Sequence, residues 1–268
     1  MRRLGGFGWP LAVWPLFSYP ISHQEPSTNT SPAPPTTQQG QQQQQEEEPQ
    51  GSAALIPPIL AHATGTVLDV GPGTGTQIPV MRKHAPGIKT VYGAEPCRGL
   101  HEELRAQARR EGFEGRYHVL SCGVSAHELD PELRREGLIR GGREGEGQGQ
   151  GGVFDTIVCV RVLCSVPDLE QRVKELYNLL RPGGKLLFVE HVVNPWQTAK
   201  GSVVARIMQS VYQVLGWSWF MGDCCLVRDT ERVLRRVADE DGGWRVVDVE
   251  RSFGWSAIAY ISGVLVKR

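Results

Sequence analysis

A chain of 268 residues, 40% of them hydrophobic, is long enough to bury one large α/β core or two small ones. Its 29 basic and 29 acidic residues cancel, so no overall field draws it to a polyanion, and nucleic acid is not an expected partner. The six cysteines, Cys97, Cys122, Cys159, Cys164, Cys224 and Cys225, form no C-x-x-C pair and several lie in apolar runs; this predicts free thiols in a reducing compartment and no metal site.

Met1-Arg2-Arg3 precedes an apolar stretch from Leu4 to Ile21 that has the outline of an anchor, but Pro10, Pro15 and Pro20 break a spanning helix. Residues 22–52 are rich in Pro, Ser, Thr and Gln, with the run Gln41 to Gln45 followed by Glu46, Glu47 and Glu48, so residues 1–52 are expected to be a disordered extension. Residues 53–268 are expected to hold a single domain. Within it, Val67 to Gly71 reads as a strand and Thr76 to His84 as a helix; Thr90 to Glu95 is a second strand, followed by a helix over Leu100 to Glu111. Tyr117 to Cys122 is a third strand, and a short helix is expected over Pro131 to Glu136. Glycine-rich residues 141–152 read as a flexible insert.

Phe154 to Arg161 contains the continuous apolar run IVCV, which suits a central parallel strand covered on both faces. Asp168 is expected to cap the next helix, in which Leu169, Val173, Leu176 and Leu180 share a face until Pro182-Gly183-Gly184 stops it. Lys185 to Glu190 is a fifth strand. Val203 to Leu215 and Thr230 to Ala238 read as helices, and Trp244 to Val249 with Ile258 to Val266 as a closing antiparallel hairpin. The alternation predicts an α/β fold with a doubly wound, Rossmann-like sheet of seven strands, mostly parallel, whose ligands bind at the carboxyl ends of the strands.

The run VLDVGPGTGT places Gly71, Gly73 and Gly75 at the first strand–helix junction, where glycine lets the backbone turn sharply and approach a ligand. A dinucleotide fingerprint counted from Gly71 and Gly73 needs a third glycine where Thr76 stands, and Pro72 removes an N–H that would hold phosphate. No P-loop is present either. Asp69 offers a carboxylate to a cationic amino group and Glu95 one to a ribose diol, a pair that suits an amino-acid nucleoside without phosphate.

The segments VLDVGPGTG, YGAEP, FDTIVCVRVLCSVPD and LLRPGGKLLFVEH, across about residues 66–192, resemble in order and spacing the motifs of class I S-adenosylmethionine-dependent methyltransferases. VLCSV, RPGG, EHV and GDCCLVRDT are similar, more narrowly, to the methyltransferase-like group that includes membrane-associated alkyl thiol methyltransferases and relatives of quinone-biosynthesis methyltransferases. The resemblance implies S-adenosylmethionine as cofactor. It places Asp69, Gly71, Gly73, Gly75 and Thr76 around its methionine and ribose portion, Glu95 on the ribose hydroxyls, Cys122 and Gly123 beside the adenine, and Arg161 next to the cofactor. The acid that such enzymes often carry after the third strand is missing from Cys122 to Ser125, which leaves Ser125 or a backbone group to serve the adenine. Upstream of Val67 only Ala53 to His62 is available to cover the site.

The sulfonium already activates its methyl group, so the protein must chiefly align a nucleophile and exclude water. His191 stands at the ligand-binding edge as a proton acceptor or as a structural histidine, and Glu190 either orients it or ends the strand as a surface charge. Cys164, Cys224 and Cys225 are read as packing residues. Trp196, Trp217 and Phe220, with Trp255, are candidates to wall an apolar pocket, and Val203, Val204, Ile207, Val211, Val214 and Leu215 form one apolar helix face. Together they favour a small lipophilic acceptor and a cytoplasmic enzyme in peripheral membrane contact. The acceptor atom, oxygen, nitrogen or sulfur, and the oligomeric state stay open. A nicotinamide-dependent oxidoreductase and an inactive S-adenosylmethionine-binding protein are the alternatives.

Overall fold

The computed structural model describes residues 49–139 and 151–268; the low-complexity run before residue 49 and the glycine-rich run 141–150 lie outside the described residues. Gly51 and Ser52, expected as part of the extension, begin a short 3-10 helix, Gly51–Leu55, that leads into α1 (Ile56–Leu60). The chain then alternates β1 (Gly65–Val70), α2 (Ile78–His84), β2 (Ile88–Ala94), α3 (His101–Arg110), β3 (Tyr117–Leu120), α4 (Ala126–Arg135), β4 (Phe154–Val160), α5 (Leu169–Leu179) and β5 (Leu180–Val192). It ends with α6 (Val203–Val214), α7 (Trp217–Phe220), α8 (Thr230–Arg236), β6 (Val246–Ser252) and β7 (Ala259–Val266).

The strands make one sheet in the order β3-β2-β1-β4-β5-β7-β6, parallel from β3 to β5 and antiparallel at β7 and β6. Thr156, Ile157, Val158 and Cys159 of β4 are fully buried, as the apolar run predicts for a strand covered on both faces. Alternate residues feed two cores. Leu68, Val70, Ile157 and Cys159 pack with Leu129, Leu133, Val173, Leu176 and Leu234 of α4, α5 and α8. Val67, Val91, Val158 and Leu187 pack with Ile56, Leu60, Ile78, Met81 and Leu104 of α1, α2 and α3. Strand order reverses between β1 and β4, so the loops leaving these two strands diverge and open the crevice where such sheets bind ligands.

Local departures have local causes. α4 starts at Ala126, ahead of Pro131, because Leu129 and Leu133, four apart, bury one face of it. Asp168 does not cap α5 with its side chain; it adopts φ 48° and contributes only its carbonyl, which accepts from the Arg172 N–H. Pro182-Gly183-Gly184 lies within β5 rather than ending α5, as an irregularity between the pairings Phe154↔Leu180 and Thr156↔Lys185.

α6 is turned the opposite way from its pattern. Its buried residues are Ala205 and Gln209, while Val203, Val204, Ile207, Val211 and Val214 are exposed. The reason is a polar anchor: Gln209 Oε1 accepts from the Asn194 N–H at 2.8 Å and its Nε2 donates to the Val192 carbonyl at 2.8 Å, binding the helix to the end of β5. Asn194 in turn donates to the carbonyls of Gly254 and Ser256. Gln209→Ala strands a buried N–H and a buried carbonyl, so chemical denaturation is expected to show a loss of about 1–3 kcal/mol; an unchanged midpoint would mean the anchor carries no stability.

Candidate functional site

The loop after β1 is the best-built part of the crevice. Asp69, buried near the end of β1, accepts a hydrogen bond from the Tyr117 hydroxyl at 2.9 Å. That bond crosses β2, and Gly93 makes it possible: Gly93 is the register partner of Asp69, and a Cβ there would sit 2.6 Å from the Tyr117 hydroxyl. Burial raises the Asp69 carboxyl to about 7, against the lowering effect of the Tyr117 bond and with a smaller push from Glu95. Glu95, also buried, accepts from the Gly73 N–H at 2.9 Å and the Cys97 N–H at 2.8 Å, and its carbonyl is bonded to His101 Nε2. The two carboxylates expected to serve the cofactor are thus brought to one end of the sheet with the glycine turn between them.

The three glycines have different jobs. Gly71, Gly73 and Gly75 all have positive φ, but a Cβ on Gly71 would meet Val162 and one on Gly75 would meet Ile78 and Leu104, whereas Gly73 faces open space. Thr76 is exposed beyond the turn. Cys122 is buried, its thiol raised to about 12 chiefly by burial. Beyond β3, Glu128 in the first turn of α4 accepts from the Gly123 N–H at 2.6 Å. This carboxylate is not legible next to the strand, because it reaches back to Gly123 from a helix five residues along the chain. Ser125 Oγ is buried without a hydrogen-bond partner among the described residues.

At the other side of the crevice Arg161, the first residue after β4, has φ 56°, donates to Ser52 Oγ at 2.8 Å and lies over the Tyr260 ring. Glu190 is fully buried rather than a surface charge; Oε1 accepts from the Val162 and Leu163 N–H groups at 2.9 and 3.0 Å and so fixes the loop after β4. Burial, with a contribution from Cys164, raises its carboxyl to about 8 against those two bonds. His191 is buried and meets Tyr260 edge to face. Burial works to lower its pKa, but Cys164 and Glu190 outweigh it and hold the imidazole above its ordinary value.

The cysteine pattern gave no hint of what the fold does next. Cys164, from the loop after β4, and Cys224, from the segment between α7 and α8, both reach His191, with Cys224 Sγ at 3.6 and 3.7 Å from its two ring nitrogens. Hydrogen bonding to Cys164 and the Trp217 N–H lowers the Cys224 thiol despite its burial, whereas Cys164 is raised to about 12. Of the proposed aromatic wall, Trp217 joins this group through its indole N–H, 3.2 Å from Cys224 Sγ. Trp196 instead borders a cavity of about 270 Å³ with Val192, Asn194 and Tyr260, a lining that includes neither Trp217 nor Phe220. Phe220 and Trp255 are exposed.

Residues 41–247 match a family described as "Methyltransferase domain", a span of well over half the chain. The chain belongs to that methyltransferase family. Among curated proteins it is similar to the human thiol S-methyltransferase TMT1B, 40% identical over 79 residues that make up 30% of each chain. It is also similar to the human thiol S-methyltransferase TMT1A, 29% identical over 204 residues, 75% of this chain and 70% of that one. The match thus spans less than two thirds of TMT1B and somewhat more of TMT1A. Among solved structures, a geranyl diphosphate methyltransferase in complex with SAM matches with TM-score 0.52 at 14% identity, over 81% of this chain and 85% of that one. An O-methyltransferase family protein from Burkholderia thailandensis matches with TM-score 0.50 at 15% identity, over 81% and 58%. These likenesses show the class I methyltransferase fold expected from the alternating strands and helices.

Proposed function

We propose that this methyltransferase moves the methyl group of S-adenosylmethionine to the sulfur of a small lipophilic thiol, working against a membrane surface. The observation that carries the cofactor half is the pairing of Asp69 and Glu95 across a glycine turn whose middle residue faces open space. Asp69 suits the cofactor's ammonium and Glu95 its ribose, while Ser125 and Glu128 lie on the adenine side. Sulfur as the acceptor is supported by the relatives named thiol S-methyltransferases. In this reading the thiol enters at the carboxyl ends of β4 and β5, near His191, where it must lose its proton before attack. An ordinary thiol has a pKa of about 8.5, so help with that proton matters near neutral pH.

Incubating the purified chain with methyl-labelled S-adenosylmethionine and a panel of alkyl thiols, phenols and amines tests the acceptor. Label should appear in thioethers, and label found only in ethers or methylamines would sink the sulfur assignment.

The membrane half rests on the outward face of α6 and α7. Val204, Ile207, Met208, Val211, Val214 and Leu215 lie there, continued by Trp219, Phe220 and Met221. A patch of that size is what a peripheral contact needs, and no helix among the described residues is long and apolar enough to cross a membrane. With zero net charge, attachment should depend on apolar area and not on anionic lipid. Flotation with neutral phosphatidylcholine vesicles should therefore retain the protein, and Val204→Glu with Ile207→Glu should weaken retention roughly tenfold or more by removing two apolar contacts. Equal retention of the double variant would exclude this face.

A further inference from the structure

Three soft metal-ligating side chains converge where the acceptor is expected. Cys164, His191 and Cys224 are each buried, and one ligand atom from each lies within 4.8 Å of the others. In a tetrahedral zinc site, with Zn–S of about 2.3 Å and Zn–N of about 2.0 Å, sulfur and nitrogen stand roughly 3.6 Å apart. Cys224 Sγ lies 3.6 Å from His191 Nε2 and 3.7 Å from Nδ1, so either ring nitrogen stands at that separation.

The surroundings are those of a supported ligand set rather than of loose packing. The Trp217 indole N–H donates to Cys224 Sγ at 3.2 Å, and the Cys225 N–H donates to the Cys164 carbonyl at 3.0 Å, tying the two cysteine segments together. Ser218 Oγ donates to the Cys224 carbonyl at 2.9 Å while accepting from Gln213 Nε2, so α6 and α7 both brace the loop. Such outer hydrogen bonds orient ligands and tune their basicity. Glu190, fully buried and next to His191 in the chain, has an Oε2 with no hydrogen-bond partner among the described residues.

We propose that Cys164, His191 and Cys224 bind a zinc ion through two thiolates and one imidazole nitrogen, leaving the fourth position for the sulfur of the acceptor thiol. The fourth position rests on the thiol reading given above; the three-ligand site does not. Two cysteines and one histidine with an open position form a known type of catalytic zinc site. On binding, the acceptor thiol gives its proton to solvent and becomes a zinc-bound thiolate. Its sulfur then forms a bond to the methyl carbon as the bond from that carbon to the sulfonium breaks. The electron pair of the broken bond stays on the cofactor sulfur, which becomes a neutral thioether, and the zinc is unchanged. His191 acts here as a ligand and not as a base.

The test uses the full chain purified without metal-affinity chromatography. Plasma mass spectrometry should find about one zinc per chain, as one three-ligand site requires. Cys164→Ser and Cys224→Ser should each reduce it to background while S-adenosylmethionine affinity, measured calorimetrically, stays within about twofold because the glycine turn is untouched. Should a variant fail to fold, the unmodified chain still decides: exchange into cobalt should give a thiolate-to-cobalt charge-transfer band, and an added alkyl thiol should shift it. Wild-type protein that binds S-adenosylmethionine but carries no zinc and gives no cobalt band overturns the site. A cobalt band indifferent to thiol overturns the open position. Thiol methylation by zinc-free protein sinks the metal and leaves the proposed activity standing. Zinc bound in protein that methylates no thiol sinks the activity and the fourth position, while upholding the three ligands.

Discussion

Gly73→Val is expected to leave a folded protein whose hold on S-adenosylmethionine is sharply weakened. The three glycines of the turn differ in what surrounds them. At Gly71 a new Cβ would press on Val162 at 2.6 Å, and at Gly75 on Ile78 and Leu104 at 2.8 and 2.9 Å, so substitution there disturbs packing first. At Gly73 nothing lies within 4 Å of the Cβ position, and the valine branches would fill the open space that the proposed function gives to the cofactor. The penalty to the fold is confined to the backbone: φ at Gly73 is +59°, which costs an L residue about 1–2 kcal/mol. Cofactor affinity should fall roughly a hundredfold or more, equivalent to about 2.8 kcal/mol. Calorimetric titration beside a melting curve separates the two effects, and a folded variant with full affinity would remove the turn from the cofactor site.

Asp69 should make cofactor binding tighten as pH rises through about 7. Burial, opposed by the Tyr117 bond and aided by Glu95, lifts its folded-state pKa from 3.8 to about 7. A carboxyl raised in this way binds its proton more tightly folded than unfolded, so its contribution to stability is fully present below about 3.8 and is lost as pH rises to about 7. The difference corresponds to about 4 kcal/mol. The ammonium of S-adenosylmethionine favours the ionised carboxylate, so binding below the folded pKa must expel a proton. Asp69→Asn keeps an acceptor for the Tyr117 hydroxyl and removes the charge. It should stabilise the cofactor-free protein above about pH 7, weaken S-adenosylmethionine binding, and abolish its pH dependence. Titration calorimetry in buffers of different ionisation enthalpy counts the released proton; wild-type affinity that is flat through this window would show that Asp69 does not meet the ammonium.

What could be read without coordinates was whatever the chain states locally. The buried run of β4, the glycine turn after β1 and the alternation that orders the parallel strands are each contained in a few consecutive residues. Periodicity was less informative about α6, because an apolar face announces that two sides exist without saying which points inward; Gln209, through two hydrogen bonds to the end of β5, decides it. Glu128 escaped notice because it reaches back from a helix to Gly123, and Asp168 misled because a residue type suited to capping took a left-handed conformation instead. Cys164, His191 and Cys224 are separated by long stretches of chain, and only the sheet order and the turn after α7 bring them together. Spacing rules written for neighbouring cysteines have nothing to say about such a set.

The position of β7 governs the order in which the molecule can be completed. β7 follows β6 in the chain yet lies between β5 and β6, pairing with both. Until it emerges from the ribosome, β6 has no strand to join and Leu187 and Val189 of β5 sit at an open edge. Tyr260, which faces His191 across the β5–β7 pairing, arrives in the same step. A nascent chain halted before Ala259 therefore has the parallel strands and the glycine turn but an unpaired β5 edge, the kind of surface that chaperones bind.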